Sequence, residues 1–113
     1  MQEFLILLYG GTIHTDQMDA LEKNQHLIKW GTYLGKVNET NFHQNGSPLC
    51  KTGQLITSSG IAELGADRNQ HPNAYMIFRA KDFETILPIL EECPLLESPD
   101  ARIEVIQTQS NIA

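Results

Sequence analysis

Residues Phe4-Leu5-Ile6-Leu7-Leu8-Tyr9 form an unbroken apolar run that ends at Gly10-Gly11. Successive side chains of a strand point to opposite faces of a sheet, so a run with no polar position needs cover on both sides. The run is strand-sized, far short of the roughly 20 apolar residues of a membrane-spanning helix. An edge strand with one wet face alternates apolar with polar residues, and this one does not. It predicts a central strand.

The next segment has helical character. Thr15 and Asp16 can cap its start, residues 17–34 carry the helix, and Gly35 supplies a stop. Ala20, Leu27, Gly31 and Leu34 fall near one line, predicted to face the sheet, with Leu21 and Ile28 flanking it. His26, Trp30 and Tyr33 follow one another at i, i+4 and i+7 along the other border. After this helix the pattern weakens. Asn45-Gly46-Ser47-Pro48 is turn chemistry, and Pro48-Leu49-Cys50 is expected to form a hairpin, across Lys51-Thr52-Gly53, with Gln54-Leu55-Ile56-Thr57. Residues 58–73 read as an exposed connection with a short helical turn at 61–64.

Ala74-Tyr75-Met76-Ile77-Phe78-Arg79 is a strand by its aromatic and branched side chains. Asp82 caps a second helix whose Phe83, Ile86, Leu87 and Leu90 form a stripe, and Pro88 predicts a kink or a late start. A last strand follows over residues 101–107, with Ile103 and Val105 on one side. Strand, helix, strand or hairpin, strand, helix, strand is the order of an α+β, ferredoxin-like fold: a four-stranded antiparallel sheet with both helices on one face. It fits one domain over residues 1–113. Helices cover a single face, so the apolar first strand calls for a second copy on the other, a homodimer through the sheet faces.

Charge and cysteine usage narrow the partners. A formal net charge of −6 argues against a nucleic-acid backbone, whose binding rests on clustered Lys and Arg. Met1-Gln2-Glu3 gives no basic start of a secretory leader, and Cys50 and Cys93 lack CxxC spacing. Reduced, apolar-type cysteines and a cytoplasmic location are expected, with no membrane partner.

Three segments together resemble the YCII-related (DGPF-domain) family of small dimeric α/β-barrel proteins. They are the opening strand with its Gly10-Gly11 exit, Gln25-His26-Leu27-Ile28-Lys29-Trp30 in the first helix, and Cys93-Pro94-Leu95-Leu96-Glu97 before the closing strand. The namesake Asp-Gly-Pro-Phe turn falls near Ser58-Ser59-Gly60-Ile61, without its aspartate and proline. Some relatives are thought to pair the first-helix histidine with an acidic residue near that helix's end; here that end reads Tyr33-Leu34-Gly35-Lys36. The histidine carries over as His26, and its partner does not.

His26 is the leading candidate catalytic group, because imidazole can take or give a proton near neutral pH. Trp30, Tyr33 and Tyr75 are candidate ligand-binding residues, since rings offer large apolar area with one polar atom. Glu63, in the long connection, is a further one. Packing alone explains the rings equally well, and a border histidine bonded to backbone or water explains His26. His14, His43 and His71 lack metal-ligand spacing, and no cofactor motif is present. Two functions follow: a small-molecule enzyme of lyase or isomerase type with His26 as proton-transfer group, or a non-catalytic dimeric module that binds a ligand or protein and has lost the acidic residues.

Overall fold

A computed structural model of the chain describes residues 1–11, 18–65 and 70–109. The apolar run lies in β1 (Gln2–Tyr9), followed by α1 (Ala20–Thr40), β2 (His43–Pro48), β3 (Gln54–Thr57), β4 (Gly60–Glu63), β5 (Ala74–Ala80), α2 (Phe83–Glu91), a 3₁₀ turn (Pro94–Glu97) and β6 (Arg102–Gln107). The main sheet has four strands in the order β2-β5-β1-β6, all antiparallel. Once the β3–β4 hairpin is set aside, this is an α+β arrangement consistent with a ferredoxin-like fold.

β1 is central, as its composition requires, with β5 on one side and β6 on the other. Its alternate residues Phe4, Ile6 and Leu8 are buried, opposite Phe78, Met76 and Ala74 of β5. Tyr33 and Val37 of α1, and Ile86 and Leu90 of α2, join the same core, so both helices cover one face. Leu5, Leu7, Tyr75 and Ile77 point to the other face and remain only partly covered. Tyr9 ends this open face, buried under the Arg102 guanidinium 4.0 Å from its ring centre. Burial, and then the neighbouring Glu104, raises its phenol pKa.

Gly10 and Asn73 fix the end of the sheet. Gly10 has φ +67°, and a β-carbon there would overlap the Asp100 carbonyl. Asn73, buried and polar, donates from Nδ2 to the Gly10 carbonyl (2.9 Å) and from its backbone N–H to Leu8 (2.7 Å). Its own carbonyl accepts from Leu49 N–H at 2.8 Å. The 49–73 excursion thus leaves and returns at one point.

Several expectations need correction. Helix α1 starts at Ala20, where the Asp19 carboxylate accepts from Glu22 N–H at 2.8 Å. The proposed caps Thr15 and Asp16 lie outside the described residues. α1 also runs through Gly35 to Thr40, ending on left-handed Asn41. This extension adds Val37, and the inward line becomes Trp30, Tyr33 and Val37 instead of Ala20, Leu27, Gly31 and Leu34. Leu27 is 59% exposed, and nothing lies within 4 Å of a β-carbon at Gly31. The Asn45–Pro48 segment is strand, not turn, because it pairs along β5 after an irregularity between His43 and Asn45. β3 therefore pairs with β4 across Ser58-Ser59, and residues 61–64 include strand rather than a helical turn. α2 begins directly after its Asp82 cap and continues past Pro88. Two hydrogen bonds from Thr85 hold the Asp82 carboxyl below its usual range.

Every residue of β3 and β4 is exposed, including Ile56 at 73% and Ile61 at 71%. This arm contributes to a radius of gyration of 15.7 Å, against about 13 Å for a compact chain of this length.

Candidate functional site

The side chains of His26 and Trp30 meet because they lie one turn apart on α1, with ring centres 6.2 Å apart. Trp30 stands edge-on to Tyr33, 6.0 Å away at 87°, and packs partly on the core. Opposite this border comes the 3₁₀ turn, started by Pro94 and anchored by buried Cys93 and Leu95. Between the two elements opens a cleft of about 210 Å³, lined by Glu22, His26, Lys29, Trp30, Pro94 and Glu97.

A second cleft of about 320 Å³ continues along α1 and is lined by Tyr33, Lys36 and Glu92 among others. Lys29, Pro94 and Glu97 belong to both walls. Lys29 Nζ donates to both carboxylate oxygens of Glu97, at 3.2 and 3.1 Å. The two side chains are 57% and 62% exposed, so solvent screens the pair and its net worth is about 1 kcal/mol at most. Lys36 and Glu92 meet more loosely at 4.0 Å.

Tyr33 borders the second cleft, but its role in the fold is plain. It is buried, and its hydroxyl donates to the Ile89 carbonyl at 2.9 Å. Burial, with Cys93 beside it, pushes the phenol well above its usual range, and burial likewise raises the Cys93 thiol. Both groups stay protonated at neutral pH and tie α1 to the end of α2. Neither cysteine is paired: Cys93 is buried and Cys50 exposed.

The candidate residues named from sequence are thus distributed unequally. His26 and Trp30 share one cleft, and Tyr33 adjoins it. Tyr75 lies on the open face of the sheet, away from the helices. Glu63 ends β4 on the projecting arm. His43 stacks edge-on to Phe78 at 5.9 Å and His71 is half-buried, while His14 falls outside the described residues. Among the described residues, no three of His, Cys, Asp and Glu gather as a metal-binding group.

Sequence reasoning found no carboxylate for His26, yet the fold brings Glu22 and Glu97 to its cleft. Glu22 precedes His26 by one helical turn, a spacing visible in the sequence. Glu97 closes the Cys93-Pro94-Leu95-Leu96-Glu97 segment, whose approach to α1 only the tertiary structure supplies.

Fold and site together define a small α+β protein with a half-open, mixed polar and aromatic cleft beside its first helix. Compared with known proteins, the chain matches no family model and no curated protein. Among the described residues, no helix is long and apolar enough to cross a membrane.

Proposed function

We propose that this chain is a YCII-related (DGPF-type) protein of the dimeric α/β-barrel class, acting in the cytoplasm on a small molecule held at His26. The observation that carries the reading is the convergence of an imidazole, an indole and two carboxylates on one cleft. His26 takes a proton from one ligand atom and returns it to another, the requirement of a lyase or isomerase step. Trp30 supplies the flat apolar wall. Replacing His26 with alanine is expected to leave the fold intact, since the ring is only partly buried, to weaken ligand binding, and to lower turnover at least about a hundredfold, the low end for loss of a general base. Unchanged binding and turnover in that variant would remove His26 from the mechanism.

The Lys29–Glu97 pair favours the second reading, a non-catalytic dimeric binding module. It neutralises a carboxylate that a catalytic histidine needs to fix its tautomer. Single-turnover assays on ligands found to bind separate the two readings.

The open sheet face supports the homodimer. Leu5, Leu7 and Ile77 lie at its centre, and Glu3, Glu104, Arg79 and Arg102 flank them, balanced in sign although the chain carries −6 overall. A balanced face lets two acidic chains meet with little repulsion, and a two-fold axis can set opposite charges against each other. Light scattering is expected to give twice the chain mass, from an interface above about 1,000 Å². Leu7→Asp should return the monomer. A wild-type monomer at micromolar concentration would refute the dimer.

A further inference from the structure

We propose that the His26 cleft takes a cationic ligand, an aromatic or otherwise apolar amine, and that Lys29 occupies the cation's place until the ligand arrives. The proposal rests on the reading of this cleft as a ligand site and names the chemistry it selects. Glu22 and Glu97 reach the cleft from two separate elements, the first turn of α1 and the 3₁₀ turn. Lys29 is the cleft's ammonium, and it lies on both oxygens of Glu97. That is the geometry a ligand's ammonium needs, already satisfied by the chain itself.

The aromatic wall has the same preference. A ring face attracts a cation lying within about 6 Å of its centre, most strongly when the ring is indole. Trp30 lines this cleft beside both carboxylates. The net charge of −6 draws cations toward the surface and repels anions.

Displacing Lys29 is easy for a reason specific to its position. The pair is more than half exposed on both sides, so little is lost when it opens. The freed lysine can swing toward solvent or the neighbouring cleft, where Glu92 lies in the lining. A ligand that exchanges its ammonium for that of Lys29 also brings an apolar body against Trp30 and Pro94 of the lining. It also meets Glu22, for which no ion pair is found among the described residues. Lys29 then acts as a built-in competitor that sets a threshold for binding.

The test uses the fluorescence of Trp30, the chain's single tryptophan, with benzylamine, benzyl alcohol and benzoate as probes at neutral pH. Benzylamine is expected to bind at least about fivefold more tightly than benzyl alcohol, the worth of one exposed charged contact. Benzoate should be weakest. Glu97→Gln and Glu22→Gln should each weaken benzylamine, by about fivefold or more. Lys29→Gln should strengthen it by up to about fivefold, the equivalent of one exposed ion pair. All three side chains are exposed, and circular dichroism checks that α1 is retained. Weaker benzylamine binding in Lys29→Gln, or benzoate outcompeting benzylamine, would overturn the proposal. Equal binding of amine and alcohol would overturn it and leave the cleft reading standing. Absence of binding by all three probes would sink both.

Discussion

Gly10→Ala is expected to lower stability by about 2–5 kcal/mol, adding about 1–2 for a left-handed backbone to about 1–3 for overpacking. The cause is local and doubled. The backbone at Gly10 has φ +67°, and the new methyl would run into the Asp100 carbonyl, with the Ala101 α-carbon 3.3 Å away. Those atoms belong to backbone at the entry to β6 and cannot swing aside as a side chain can. The same residue's carbonyl accepts the Asn73 side chain, so a shift there loosens the root of the projecting arm. Domains are stable by roughly 5–15 kcal/mol, so such a loss is a large part of the whole. Urea unfolding measures it through the midpoint. A variant that unfolds with the wild-type midpoint would contradict the described end of the sheet.

Phe4→Ala is expected to cost about 3–5 kcal/mol, the range for removing a ring from a packed core. Phe4 is fully buried, opposite Phe78 across the sheet and edge-on to Phe83 at 4.9 Å. Leu27→Ala serves as the control. Read from sequence as sheet-facing, Leu27 would cost about 2–5 kcal/mol. Exposed as it stands, it should change stability by less than about 0.5 kcal/mol. Thermal or urea unfolding of the pair tests the core and the corrected helix face together. Equal losses in both variants would mean that α1 is rotated from its described orientation.

Much of the fold was legible because its strongest signals are local. The β1 run has no polar position and became the central strand. The aromatic and branched residues of β5 and the alternation of β6 placed both within a residue or two of their bounds. Asp82 has one obvious partner, the first turn of α2. The face of α1 was not legible. Its leucines and glycines suggested one stripe, and the decision belonged to Tyr33 and Val37, whose burial depends on the distant α2 and β5. Turn residues in β2 misled because pairing along β5 outweighs the local preference of Asn45-Gly46. The hairpin β3–β4 escaped notice for a related reason. Its strands are short and exposed, so burial imprints no pattern on them.

The site divides in the same way. His26 and Trp30 could be paired from helical spacing alone. Glu97 lies 68 residues from Lys29 in the chain, and nothing local announces that they meet. The acid that Tyr33-Leu34-Gly35-Lys36 does not supply is therefore not a missing acid in the cleft. A carboxylate arrives from the 3₁₀ turn instead, held by a lysine on the same helix as the histidine.

The central claim is that His26 faces a ligand. It is tested most directly by NMR of the His26 ring protons, followed through additions of small aromatic amines, alcohols and acids. The account predicts that binding shifts the His26 signals saturably, at the concentrations that change Trp30 fluorescence. His26 signals that no ligand moves would contradict it.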